Sequence, residues 1–322
     1  MQVIQLKFGS KMISSRRFSL NLILTVLVIF LLKENVYPQK TSDDLNSSTR
    51  IVLLGTGMPR PNPNASGPAT AVIVGKNVFL FDAGSGVERQ LAAAKLPING
   101  VTAAFITHLH SDHTLGYPDL ILTSWVMGRT KPMNVYGPIG LQKMTDNILA
   151  AYSEDIDVRV NGLEHESPEG YKVIVHEIKE GVIYDSLGVK VTAIWVPHGN
   201  WKYAYAYRID TPNKSILISG DTRYFEGLIK YAHNLDVLIH EVYPESEAKP
   251  ENREGGNDWP QYLKEFHTSD VELGKLASKI KPGLLILYHL VRKKASDQDL
   301  IDGIRKGGYK GKVVVGKDLD RY

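Results

Sequence analysis

Between Thr107 and His113 the chain places four metal-capable side chains, His108, His110, Asp112 and His113, directly after the apolar run 102–106. The run reads as a strand, and polar residues at such strand ends commonly build sites in α/β folds. Imidazole nitrogen and carboxylate oxygen both suit Zn²⁺ at about 2.0–2.2 Å. His108 and His110 are two residues apart, so in extended backbone they point to the same side. Asp112 and His113 lie past a turn and can face a second ion. The chain contains no Cys. Disulfides, cysteine zinc fingers, iron–sulfur clusters and thiol nucleophiles are therefore excluded, and any metal must be held by His, Asp or Glu.

Three further candidates follow apolar runs: His198 in Val196-Pro197-His198-Gly199, Asp221 in Ser219-Gly220-Asp221-Thr222, and His289 in Leu287-Tyr288-His289-Leu290. Taken singly each is weak. Asp221 also suits a helix cap near Phe225, and a lone His at such a place is more often a satisfied core residue.

Short β-branched and apolar runs bounded by Gly, Pro and Asn read as strands at 51–54, 70–74, 78–81, 102–106, 172–178, 189–196, 203–209, 215–218, 237–239, 284–287 and 313–315. Helical spacing marks 87–94, 115–127, 141–152, 225–231, 269–279 and 297–305. Strands fill the middle of each half and helices flank them, which suggests two sheets covered by helices on their outer faces. Segments 59–68 and 244–260 read as loops, the second either a lid or a surface insertion. Trp195, Trp201, Tyr203 and Trp259 are candidates for an aromatic pocket wall, or for core packing.

The N-terminus reads as an address. Arg16-Arg17 precedes an apolar run, 18–32, of the length of a secretory signal and short of a full membrane span. Residues 1–40 thus form a signal peptide or uncleaved signal anchor, with a polar linker to about 50 and the catalytic domain at 51–322. An exported protein, periplasmic or secreted, is expected, touching a membrane only through 18–32. Residues 1–40 hold six Lys/Arg against one acid, leaving 32 basic and 34 acidic residues for the rest. With that near-neutral balance nucleic acid is an unlikely partner. A homodimer is left open.

The pattern His108-x-His110-x-Asp112-His113, followed by His198, Asp221 and His289, resembles the metallo-β-lactamase superfamily. The resemblance implies an αββα sandwich with a dinuclear zinc site at one edge. It implies that His108, His110 and His198 hold one Zn²⁺, that Asp112, His113 and His289 hold the other, and that Asp221 bridges them. Leu54-Gly55-Thr56-Gly57, Phe81–Gly86 and Phe266-His267-Thr268-Ser269 resemble ribonuclease Z and its relatives. In that branch a His matching His267 acts on the leaving group, supported by an acid matching Glu241, with imidazolium as the working form. Asp82 matches a residue that orients the metal loop. The long arm of ribonuclease Z has no counterpart, since only 22 residues separate His198 from Asp221. Trp125, Arg129 and Tyr136-Gly137-Pro138 resemble instead a periplasmic arylsulfatase-like subgroup. The resemblance implies hydrolysis of a small-molecule ester, an aryl sulfate or phosphodiester, by a metal-bridging hydroxide, with Asp112, His267 and Glu241 in the catalytic set. The alternatives are a ribonuclease Z-like endonuclease, a lactonase or β-lactamase-type carbonyl hydrolase, and a zinc-binding scaffold.

Overall fold

Two runs of sequential strands build two sheets in the computed structural model, which describes residues 48–322. The expected signal segment and nearly all of its linker lie outside the described residues. In the first sheet β1 (Thr49–Gly55), β2 (Ala69–Val74) and β3 (Asn77–Phe81) are antiparallel neighbours. From β3 onward, β4 (Val101–Phe105), β5 (Met133–Gly137) and β6 (Val173–Glu177) add in parallel. Parallel neighbours need a long crossover. Here the crossovers carry α1 (Val87–Ala93), α2 (Ser111–Thr114), α3 (Tyr117–Val126), α4 (Leu141–Ala151) and α5 (Ser153–Asn161).

The second sheet repeats the plan. β7 (Gly181–Ser186), β8 (Val189–Trp195), β9 (Tyr205–Asp210) and β10 (Ser215–Ile218) run antiparallel. β11 (Val237–Val242), β12 (Leu284–Leu290) and β13 (Val313–Val315) then add in parallel. Their crossovers hold α6 (Trp259–Phe266), α7 (Asp270–Ile280) and α8 (Asp297–Lys306).

Strand alternation decides the layers. Ile51 and Leu53 of β1 enter the core between the sheets, with Phe79, Phe81 and Phe105 on their side and Tyr207, Ile218, Ile239 and Tyr288 opposite. Val52 and Leu54 point the other way, to Val87 and Leu91 of α1 and Leu120 and Ile121 of α3. On the far side Leu217, Leu238 and Leu285 meet Leu273 and Leu276 of α7 and Leu300 and Ile304 of α8. The order of layers is helix, sheet, sheet, helix, the expected αββα sandwich. No helix among the described residues is long and apolar enough to cross a membrane.

Five elements escape the sequence reading, the shortest being the one-turn α2, where a polar loop is expected. β7 is an edge strand with Val182 59% exposed, so its apolar pattern is diluted. β5 is only five residues long, and α5 buries a single side chain, Ile156. α6 begins inside the expected loop 244–260, because Pro260 sits in its first turn, where proline costs the helix no hydrogen bond. The helix expected at 225–231 is a 3₁₀ segment, Glu226–Tyr231.

The sheets are tied where the functional residues emerge. The Tyr205 N–H donates to the Thr107 carbonyl at 3.0 Å, and the Tyr207 hydroxyl donates to the Ile106 carbonyl at 2.6 Å. Phe105, fully buried just before this edge, stacks on Phe81 at 4.9 Å and on Tyr136 at 5.1 Å. Phe105→Ala should destabilise the fold by about 3–5 kcal/mol, read from the midpoint of a urea unfolding curve. A cost under about 1 kcal/mol would mean that this stack does not anchor the edge.

Candidate metal centre

Each site residue leaves the end of a strand, and several do so with unusual backbone. Asp82, just past β3, has φ 61°. Its carboxylate accepts the Thr107 N–H at 2.8 Å and the Thr107 hydroxyl at 3.0 Å, and meets His113 Nδ1 at 2.9 Å. His289 lies at a bulge of β12: Glu241 pairs with Tyr288 and Val242 with Leu290, so His289 is the extra residue, with φ 41°. A bulge bends the strand and re-aims one side chain, here into the site. Gly220 has φ 57°, and a Cβ there would come within 2.8 Å of the Tyr205 carbonyl and 3.0 Å of Thr107. Only glycine lets the chain turn there and deliver Asp221. Asp221 is 2% exposed and faces the imidazoles, so the capping role near Phe225 does not hold.

His110 keeps extended backbone (φ −60°, ψ 145°) before the one-turn α2 that carries Asp112 and His113. The rings of His108 and His110 converge, their centroids 4.8 Å apart. His108 Nε2 and His198 Nε2 lie 2.9 and 3.0 Å from His110 Nδ1. Asp221 Oδ2 is 3.8 Å from the first and 3.9 Å from the second. In the neighbouring group His289 Nε2 is 3.1 Å and His113 Nε2 3.7 Å from Asp112 Oδ2. Asp221 reaches this group too, Oδ1 to His113 Nε2 at 3.3 Å and Oδ2 to His289 Nε2 at 3.5 Å. Two donors on one tetrahedral zinc at about 2.0–2.1 Å lie roughly 3.3 Å apart, so the spacings suit a cation in either group. All seven sequence candidates come together, and Asp221 belongs to both sets.

The surroundings prepare these atoms as ligands. Thr107 gives its hydroxyl proton to Asp82, so His108 Nδ1, 3.0 Å away, must be the donor in that pair, which leaves Nε2 a free lone pair. The Phe266 carbonyl, at the open end of α6, takes the proton of His198 Nδ1 at 2.7 Å. Such outer partners fix the tautomer and ring orientation of a metal-binding His. Burial holds His108 and His110 below the usual imidazole range and pushes His198 down to about 3. These rings therefore stay neutral. The buried His113 Nε2 and Asp221 Oδ1 face each other at 3.3 Å and have no other hydrogen-bond partner, so a cation between them would satisfy both. On these observations the donor set fits a divalent metal.

His113 and His289 behave differently. Burial lowers both, but the Asp221 carboxylate, with Asp82 and Asp112 beside His113 and Asp112 beside His289, outweighs it and holds both above the usual value. Burial pushes Asp221 the opposite way from its imidazole neighbours, which win and keep it well below the carboxylate range.

Beside the ligands His267, 4% exposed, sets Nδ1 3.2 Å from Glu241 Oε2, while Glu241 Oε1 accepts the Thr268 N–H at 2.7 Å. The expected orienting contact is present. At rest, burial pulls His267 down to about 4, so the ring is neutral at pH 7 and an imidazolium would form only when it takes up a proton. Burial, reinforced by Asp221, raises Glu241 well above the usual range. His110, Asp112, Asp221 and His289 of the ligand set line, with His267, a cavity of about 320 Å³ that also holds Arg60, Glu251, Arg253, Trp259 and Tyr262. Of the expected aromatic wall, Trp259 lines this cavity and Trp201 donates its indole N–H to His110 Nε2 at 2.7 Å. Trp195 instead lies 41% exposed with its edge to Phe225, and Tyr203 packs on the core between the sheets. Residues 244–260 form part of the wall, fastened where Glu247 accepts the N–H groups of Lys293, Lys294 and Ala295. Sequence reading missed Arg60, Arg253 and Tyr262. Only Tyr262 left a trace, three residues after Trp259 on one helix face.

Residues 77–290 match the Beta-lactamase superfamily domain, a span that contains all seven ligands. The chain is 32% identical over 277 residues to ribonuclease Z of Mycobacterium sp. strain KMS, covering 84% of this chain and 94% of that one. The chain belongs to the β-lactamase superfamily, in its ribonuclease Z branch. Ribonuclease Z of Mycobacterium marinum is 30% identical over 284 residues, covering 84% and 97%. Two solved structures share the fold. The metallo-beta-lactamase fold protein YhfI from Bacillus subtilis gives a TM-score of 0.66 at 18% identity, over 86% of this chain and all of that one. The short form of human tRNase Z gives 0.63 at 21% identity, over 85% and 98%. This β-lactamase superfamily member is a metal-dependent hydrolase of ester bonds. The expectation that nucleic acid is an unlikely partner needs correction. Relatives named ribonuclease Z are matched over nearly their whole length, so a missing arm does not separate this chain from them. A near-neutral total also says nothing about local charge, and Arg60 and Arg253 stand in the cavity itself.

Two outcomes test the centre. Asp221→Ala should lose bound metal and activity together, read by elemental analysis of the purified protein; retention of both would remove Asp221 from the ligand set. Because His113 and His289 hold their protons more tightly than a free imidazole, metal binding should release protons and weaken as pH falls. The expected change is about tenfold per pH unit for each proton displaced. Calorimetric titrations in buffers of different ionisation enthalpy measure the release. Identical heats in all buffers would contradict it.

Proposed function

We propose that this chain is a phosphodiesterase that works with two divalent cations, zinc in the first instance, and that its substrate class is RNA. One observation carries the reading: two sets of ligands share Asp221 at a cavity lined also by His267, which is backed by the buried Glu241. The curated relatives support phosphodiester over aryl sulfate, since their name is ribonuclease Z. When bound, two cations of this kind lower the pKa of a water towards about 7 and offset the charge that grows on a phosphoryl oxygen.

His108, His110 and His198 would hold one cation and Asp112, His113 and His289 the other, with the two oxygens of Asp221 serving both. Neutral His267 keeps its Nδ1 proton on the Glu241 side, which leaves Nε2 as the atom that can take a proton and pass it to the departing oxygen. Glu241 fixes the ring and tautomer, anchored by the Thr268 N–H. Residues 18–32 support an exported enzyme, so RNA outside the cytoplasm belongs to this proposal.

A substrate panel decides. With zinc, an aryl phosphodiester should be turned over faster than an aryl sulfate, a lactone or a β-lactam, and chelator should abolish the activity. Faster sulfate or β-lactam turnover would overturn the reading. His267→Ala should keep its metal and slow diesters with poor leaving groups by about 10²–10⁴-fold, and p-nitrophenyl esters much less. Equal losses for both would remove the proton-transfer role.

A further inference from the structure

Next to the metal cavity lies a second groove of about 550 Å³, and the two share Met58 and Arg60. Arg60, Arg292, Lys293 and Lys317 line this groove, with Asp318 as the one acid among its lining residues. The Asp318 carboxylate is turned inward. It accepts the Thr56 N–H and hydroxyl at 2.9 Å, the Ser66 N–H at 2.7 Å and Gln90 Nε2 at 2.6 Å. Arg292 is held by Asp297 at 2.6 Å, and the same carboxylate lies 3.8 Å from Lys317. At the junction of groove and cavity the balance is different. Lys293 and Arg253 share one acid, Glu251. Arg60 is exposed and, among the described residues, has no carboxylate partner. Three cations thus meet two carboxylates, Glu251 and Glu247, the second already engaged by the N–H groups of Lys293, Lys294 and Ala295.

The Trp259 ring steadies this group. Lys293 Nζ lies 5.3 Å and the Arg253 guanidinium 5.5 Å from its centre, within cation–π range. Arg60 and Lys293 line the same groove, and burial followed by the Arg60 charge holds the Lys293 ammonium below its usual range against the opposing pull of Glu247. An anion between the two cations relieves their repulsion, and a phosphate does so with charge-assisted hydrogen bonds, bidentate from Arg60.

We propose that the junction between Arg60 and Lys293 is a second phosphate subsite, which receives the phosphodiester next to the one at the metal centre. Resting on the phosphodiesterase reading, it makes the preferred substrate a strand carrying at least two phosphates, led from the cavity into the groove. Local pairing creates this cationic spot in a chain whose remainder is close to neutral.

The test compares two substrates on the zinc-loaded full chain. A short oligoribonucleotide carries neighbouring phosphates; bis(p-nitrophenyl) phosphate carries none. In Arg60→Ala and in Lys293→Ala the ratio of kcat/KM for the oligonucleotide to that for the small diester should fall about tenfold, mainly through KM for the oligonucleotide. The dependence of oligonucleotide kcat/KM on salt should flatten by about one unit of log–log slope for each cation removed. An unchanged ratio, or equal losses on both substrates, would overturn the subsite and leave the phosphodiesterase reading standing. Wild-type protein that cleaves the small diester and not the oligonucleotide would overturn the RNA reading itself, and the subsite with it.

Discussion

A carboxylate buried between two groups of imidazoles is the constraint on which the site depends. Asp221 is almost fully enclosed, ionised, and has one oxygen with no hydrogen-bond partner other than His113 Nε2. A buried charge of this kind persists only where positive charge or strong donors surround it. His113 and His289, held above the usual imidazole range by their carboxylate neighbours, can supply that charge, and a metal can supply it in their place. Ligand placement, the unusual backbone at Asp82 and His289, and glycine at 220 all serve to hold this arrangement together.

That backbone shows how the fold sustains local strain. Non-glycine residues with positive φ are uncommon and tend to gather at functional sites. Asp82 and His289 occupy that region at the ends of buried strands, fixed by the Thr107 hydrogen bonds and by the register of β11 against β12. α6 adds a second form of support. Its last carbonyls hold His198 and its aromatic face lines the cavity, so one short helix serves both the ligands and the substrate side.

The site was far more legible in the sequence than the pocket around it. His108, His110, Asp112 and His113 are adjacent in the chain, and their spacing survives folding because an extended segment and a one-turn helix each impose a fixed direction on their side chains. His198, Asp221 and His289 were readable as strand-end residues, and resemblance supplied their grouping. Apolar strand runs such as 51–54 and 284–287, flanked by helical segments, suggested the layers, but which side chains face which layer is not written in a continuously apolar run. β7 and α6 were hidden for local reasons, an exposed edge and a proline in a first turn.

What the residues determined by themselves was the chemistry available: no thiols, a dense set of nitrogen and oxygen donors, and strands apolar enough to carry them to an edge. The tertiary structure alone decided the protonation of His267 and Glu241, since burial depends on what other segments pack over a group. It also decided where charge collects. Arg60, Arg253 and Lys293 are nearly two hundred residues or more apart in the first case and forty in the second, and a total close to zero conceals their meeting. Spacing along a chain fixes direction only over a few residues; proximity between distant side chains is fixed by the packing of the two sheets.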